Sequence, residues 1–116
     1  MTHDHNRPKS PNPVGNLVSY YPKKGKETEF LALLEKHWPT LDRLGLVTKS
    51  PAKIWKAYDI RANTHYFVEM FTWKDGASSD VAHQSPEVMS IWEPMTPILD
   101  NMQISEIEAL ALGAKA

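Results

Sequence analysis

Two histidines, one carboxylate and a set of aromatic rings are the side chains in this chain best suited to chemistry. His37 falls near the centre of a face formed by Phe30, Leu33, Leu34, Leu41 and Leu44, a spacing that predicts a helix over residues 27–44. That places an imidazole between the helix and whatever the helix covers. An imidazole there is suited to general-base work near neutral pH. It is equally suited to being a core histidine bonded to a backbone carbonyl or to Glu69, and both readings stand open. His83 precedes Ser85-Pro86, a helix start with Ser as N-cap and Pro at the first position. It is either a base or hydrogen-bond donor at a pocket mouth, or a surface histidine. Glu69 shares a strand face with Phe67 and Phe71. A carboxylate there needs a partner, and the pattern favours Lys56 or His65 across the sheet. Trp73, Trp92 and Phe67 are either walls for a planar ligand or ordinary core. Tyr20, Tyr21, Tyr58 and Tyr66 offer hydroxyls for substrate contact, and Tyr20 completes the set of candidate binding residues with Trp73, Trp92, Phe67 and Glu69.

The elements that must hold these residues read in the order β-α-β-β-α-β. Residues 16–21 form a strand that Pro22 ends, and Lys23 to Lys26 turn into the first helix. Gly45 stands where a C-terminal helix glycine belongs, and Pro39 lies on the outer helix face. Residues 46–58 make a second strand region broken at Ser50-Pro51, joined by a hairpin to the strand 65–73. That strand is apolar on both faces: Phe67, Phe71 and Trp73 point one way, Tyr66, Val68 and Met70 the other. A turn and a short helix occupy 75–84. A second long helix follows from Ser85, with Val88, Ile91, Trp92, Met95, Ile98 and Leu99 at helical spacing and a kink or break expected near Glu93 from Pro94 and Pro97. Residues 102–109 alternate as a last strand.

This order predicts an α+β, ferredoxin-like antiparallel sheet with both helices on one face. The opposite face would then carry a large apolar surface, which soluble monomers rarely leave wet. A homodimer packed sheet to sheet removes it. Residues 1–14 read as a flexible tail, 15–110 as the domain and 111–116 as a short C-terminal tail. Met1-Thr2-His3 has the groups for Cu(II) or Ni(II) chelation, though its composition is that of a solvated tail.

Composition removes several classes of function. Thirteen basic against fourteen acidic residues leave a net charge of -1, with no electrostatic footprint for nucleic acid or an anionic membrane. The absence of cysteine excludes disulfides, thiolate metal sites and cysteine nucleophiles. It fits the cytoplasm, the expected location. The five histidines, at 3, 5, 37, 65 and 83, form no helical i, i+4 metal pair. There is no phosphate-cradling glycine loop and no Gly-x-Ser-x-Gly elbow. No metal or organic cofactor is expected.

The segment Phe71-Thr-Trp73-Lys-Asp75 … Ala82-His83-Gln-Ser85-Pro86, ahead of Ile91-Trp92, resembles the antibiotic biosynthesis monooxygenase-like family over roughly residues 15–110. The family's His-x-x-Ser-Pro is His83-x-Ser-Pro here, which turns the imidazole by about 100° on a helix. The resemblance implies a dimeric α/β barrel and, in some members, cofactor-free oxygenation of polyphenols and quinols. It points away from the haem-degrading branch. Asn16 could stand in for that branch's first-strand Asn, but Trp92 occupies the position of its histidine and Ala82 that of its tryptophan. Two functions follow as expectations. One is a cofactor-independent monooxygenase that takes a small aromatic phenol or quinol, with His37 or His83 as base. The other is a non-catalytic dimeric module that binds a small ligand or serves stress-related partners.

Overall fold

The structure, a computed structural model, describes residues 9–113. Its elements are β1 (Val14–Pro22), α1 (Glu27–Arg43), β2 (Lys53–Asp59), β3 (Thr64–Trp73), α2 (Ser78–His83), α3 (Pro86–Met95), a 3₁₀ turn at Thr96–Ile98, and β4 (Leu99–Ile107). The strands form one antiparallel sheet in the order β2-β3-β1-β4, the ferredoxin-like arrangement, with the helices on one face. Among the described residues no helix is long and apolar enough to cross a membrane.

Local chemistry explains the element ends. The helix α1 closes in a Schellman arrangement: Gly45 N donates to Asp42 O and Leu46 N to Leu41 O, with Gly45 at φ 74°. Leu46 and Leu41 are both buried, which seals the helix end against the core. Pro39 is carried inside α1. At α3, Ser85 Oγ accepts from Val88 N at 3.3 Å and Pro86 takes the first helical position. The α-helical turns run on through Pro94 to Met95, slightly past the expected break. Pro97 then sits in the first turn of the 3₁₀ segment, where its missing N–H costs nothing. Asp75 Oδ1 accepts from Ser78 Oγ and Ala77 N at the start of α2; the Ser78 hydroxyl is the main influence holding the Asp75 carboxyl below its ordinary range.

Residues 46–48 reach the end of β3 through a Val47–Trp73 bridge and two backbone bonds, Thr48 N to Thr72 O and Lys74 N to Leu46 O, before the chain breaks at 49–52 and re-enters the sheet as β2. The β2–β3 turn is held by Asp59, whose Oδ1 accepts from the backbone N–H groups of Arg61 and Ala62.

The register assigns each side chain a face. Asn16, Val18 and Tyr20 on β1 and Phe67, Glu69, Phe71 and Trp73 on β3 look toward the helices and are buried. With Phe30, Leu34, His37 and Leu41 of α1 and Val88, Ile91 and Met95 of α3, they make the core. The other face carries Leu17, Tyr21, Trp55, Tyr66, Val68 and Met70, with Tyr21 and Tyr66 stacked at 4.9 Å. Trp55, on that face, is 47% exposed.

Part of the segment read as a flexible tail is seated on the domain. Ser10 O accepts from Gly76 N at 2.7 Å, and Lys9 pairs with Asp80 at 3.0 Å. A Cβ on Gly76 would stand 2.5 Å from Ser10 N, so a glycine is needed for this approach. His3, His5 and the Met1-Thr2-His3 chelate lie outside the described residues.

Candidate functional site

Glu69 is fully buried at the centre of β3. Two donors reach its carboxylate: the Tyr20 hydroxyl at 2.6 Å to Oε1, and His37 Nδ1 at 2.8 Å to Oε2 and 3.1 Å to Oε1. The register explains the first, since Tyr20 is opposite Phe67 and Val18 opposite Glu69, which leaves Tyr20 one step along the same face. The helix explains the second, since His37 lies at the middle of the buried stripe of α1. Lys56 and His65, the partners favoured from sequence, go elsewhere. Lys56 lies opposite Phe67 and extends to Glu27 at the surface, where its ammonium stays hydrated; His65 sits at the strand's exposed end beside Tyr58.

On the far side of His37, Trp92 Nε1 lies 2.8 Å from His37 Nε2. An indole N–H only donates, so Nε2 must accept and the ring proton must be on Nδ1, facing the carboxylate. The result is a chain of four side chains from β1, β3, α1 and α3 in which every polar atom has a partner. Burial first, then the charge of Glu69 and the hydrogen bond to it, hold the Tyr20 hydroxyl well above its ordinary titration range.

In front of this chain is a cavity of about 460 Å³, largely apolar. Its floor is the helix-facing side of β1 with Phe71 and Trp73 of β3; its roof comes from α2 and α3; its open side is β4, where Met102 and Ile104 are exposed. Trp92 contributes to the lining and holds His83 edge-on, with ring centroids 4.8 Å apart. His83 Nδ1 donates to Ser79 O at 2.8 Å, which leaves Nε2 as the basic nitrogen with no partner among the described residues. The structure therefore brings His37, His83, Trp73, Trp92 and Tyr20 to one cavity. Phe67 and Glu69 do not line it. Phe67 packs under Phe30 at 5.5 Å, and Glu69 lies behind Tyr20 and His37. Despite its shifted place in the sequence, His83, the last residue of α2, reaches the lining. Asn16, read from sequence only as a stand-in for a haem-branch residue, is a buried polar member of the floor. Its strand parity with Val18 and Tyr20 was the available signal. Among the described residues no group of three His, Asp or Glu side chains is arranged to hold a metal ion.

Comparison with solved structures places this fold. The chain superposes on a putative antibiotic biosynthesis monooxygenase from Bacteroides thetaiotaomicron with TM-score 0.65 at 15% identity, covering 90% of this chain and 96% of that one. It superposes on a variant of SnoaB, a cofactor-independent oxygenase from Streptomyces nogalater, with TM-score 0.64 at 10% identity, covering 90% and 99%. A putative antibiotic biosynthesis monooxygenase from Bordetella bronchiseptica gives TM-score 0.63 at 15% identity over 85% and 98%. No family model and no curated protein sequence matches the chain. At these identities the likeness is one of fold alone.

The buried chain can be tested at both of its ends. In Glu69→Gln, one orientation of the new amide faces an N–H toward His37 Nδ1–H, and the other leaves the Tyr20 hydroxyl proton without its acceptor. Denaturant titration should show a loss of about 1–3 kcal/mol. The raised Tyr20 hydroxyl also sets a pH dependence. The folded chain keeps this proton where the unfolded chain, titrating near 10, releases it. The stabilisation is therefore complete below about pH 10 and is lost as pH rises above it. Denaturation midpoints between about pH 9 and pH 11 should fall more steeply for the native sequence than for Tyr20→Phe.

Proposed function

We propose that this chain is a cofactor-independent monooxygenase that takes a small electron-rich phenol or quinol into the cavity beneath α2 and α3. The observation that carries the reading is His83: it is an exposed residue that lines an apolar, aromatic-walled cavity, and with its Nδ1 proton fixed on the Ser79 carbonyl its basic nitrogen is Nε2. His37, the other base candidate, has Nε2 occupied by Trp92, so it acts as a positioning residue for the indole.

In this reading a phenolic proton moves to His83 Nε2, and the Ser79 carbonyl stabilises the resulting imidazolium. The phenolate passes one electron to O2, and the two radicals combine at a ring carbon as a peroxide. For a substrate with a ring methylene, taken up as its phenol tautomer, the peroxide loses water to leave a carbonyl. In balance, one ring methylene and one dioxygen give one ring carbonyl and one water. The substrate supplies four electrons, one oxygen atom stays on the ring carbon, and the other leaves as water with the two methylene hydrogens. Trp92, Phe71 and Trp73 would order the ring and exclude solvent.

Oxygen uptake with a panel of hydroquinones and anthrones tests the reading. Turnover above the blank is expected, reduced about 10²–10⁴-fold in His83→Ala. No uptake across the panel, or uptake unchanged in His83→Ala, contradicts it. A binding module is the second reading, favoured by the complete pairing of Tyr20, His37 and Trp92 of the lining with one another and with Glu69 behind it. Native mass spectrometry showing a retained aromatic ligand unchanged under air would select it.

The same proposal includes a homodimer. The sheet face bearing Leu17, Tyr21, Trp55, Tyr66, Val68 and Met70 has no helix over it, and a second copy packed on it about a two-fold axis would cover it. Sedimentation equilibrium at micromolar concentration should give twice the protomer mass; a well-folded single protomer would overturn this part.

A further inference from the structure

Sulfur is the reactive element of this chain that the proposed chemistry leaves idle. With no cysteine, all of it is thioether. Of the five methionines, Met89, Met95 and Met102 line the apolar cavity. Met70 lies on the opposite sheet face, and Met1 is outside the described residues. The three lining residues differ in what their sulfur can do. Met95 is packed in the core, where a sulfoxide would strand a polar S=O among apolar side chains. Met89 is half-buried on α3, in the roof. Met102 is 46% exposed on β4, across from Tyr20, at the open side of the cavity. Its side chain meets the cavity and water at once. It also lies on the helix-facing side of the sheet, so pairing of the opposite faces leaves it accessible.

We propose that Met102 is an oxidisable site that reduces an aromatic hydroperoxide held in the cavity and becomes methionine sulfoxide. The inference rests on the proposed aromatic-binding reading and adds a second chemical class, aromatic hydroperoxides, to what the cavity takes. The sulfur lone pair attacks the terminal peroxide oxygen, an S–O bond forms, and the O–O bond breaks. The carbon-bound oxygen leaves and takes the terminal oxygen's proton, which makes it an alcohol. The thioether is oxidised by two electrons and the peroxide is reduced by the same two, so one thioether and one hydroperoxide give one sulfoxide and one alcohol. The walls made by Trp92, Phe71 and Trp73 would hold the ring, and holding it raises the effective concentration of peroxide at the sulfur. Exposure supplies the other requirement, because the new S=O at Met102 faces water and is solvated. A ring peroxide that formed in the cavity and failed to lose water would meet the same thioether.

The test gives the full chain cumene hydroperoxide, an aromatic peroxide, or hydrogen peroxide, which has no ring to bind. N-acetylmethionine in the same tube serves as the freely accessible thioether, and peptide mass spectrometry reads the oxygen gained at each methionine. With cumene hydroperoxide, Met102 should be oxidised at least about tenfold faster relative to N-acetylmethionine than it is with hydrogen peroxide. Adding 2-naphthol, a ring that occupies the cavity without oxidising it, should remove that advantage and leave oxidation by hydrogen peroxide unchanged. Cumyl alcohol formed by the protein should fall about tenfold in Met102→Leu, a substitution of similar volume at an exposed position. Equal preference for the two oxidants, an advantage that 2-naphthol does not touch, or native alcohol yield in Met102→Leu overturns the role of Met102. The peroxide is added ready-made, so the result does not depend on oxygen turnover. Selective oxidation of Met102 without oxygen uptake from the hydroquinone panel upholds this site while the oxygenase reading falls. Oxygen uptake without that selectivity overturns this site alone.

Discussion

A fully buried carboxylate sets the terms for the rest of this structure. Glu69 cannot be left in an apolar interior without donors, and cooperation between two strands and a helix supplies them. Tyr20 reaches it from β1 and His37 from α1. Because His37 must present its N–H to the carboxylate, its other nitrogen must accept, and the indole of Trp92 is the group that donates. One requirement therefore propagates from the centre of the sheet to the roof of the cavity. It fixes a ring orientation at each step, and the last ring, Trp92, is the surface against which His83 rests. The cavity wall is shaped by the same network that ties the helices to the sheet.

The placement of the cavity follows from how two helices cover four strands. The contact between α1 and α3, reinforced at the surface by the Arg43–Glu87 pair, centres the helical layer over β1 and β3. The outer strands extend beyond it. On β2 this leaves Ile54 and Tyr58 exposed on the helix side; on β4 it leaves Met102 and Ile104, the latter 62% exposed. On the β4 side the cavity lies between α2 and α3 and the strands, with Met102 and Ile104 among its lining. The short α2 and the His83–Ser79 bond bring a polar side chain to its mouth. The seated residues Lys9 and Ser10 secure the loop that leads into α2.

The backbone plan was legible in the sequence because periodicity and punctuation carry it. The alternation in 65–73 gave both faces of β3, Gly45 marked the end of α1, and Ser85-Pro86 marked the start of α3. The kink expected near Glu93 came slightly later, since a proline in the first turn of a new segment disturbs little. The position of His37 in the core, and Glu69 as one of its two possible partners, could also be read from spacing. The chosen partners of Glu69 could not. Lys56 and His65 are near it in the hairpin, but which groups end up facing a buried carboxylate depends on strand order and on the cost of burying an ammonium. Placing β1 between β3 and β4 put Tyr20 there instead. Phe67 illustrates the same limit. Its face was right, but the helix above it, at Phe30, makes it core rather than lining. Asn16 was read only as a stand-in for a haem-branch residue; its parity with Val18 and Tyr20 was the unused signal, and what it faces is a property of the packed layers.

Glu69 and Trp92 together dictate which nitrogen of His37 carries the proton, and every other feature of the site is arranged around that choice. Long-range proton–nitrogen correlation NMR on the ¹⁵N-labelled chain reads it directly, because protonated and unprotonated ring nitrogens differ widely in shift. His37 should show its proton on Nδ1 and a pyridine-like Nε2. A proton found on Nε2 would mean that the indole does not donate there, and the buried chain from Tyr20 to Trp92 would be contradicted.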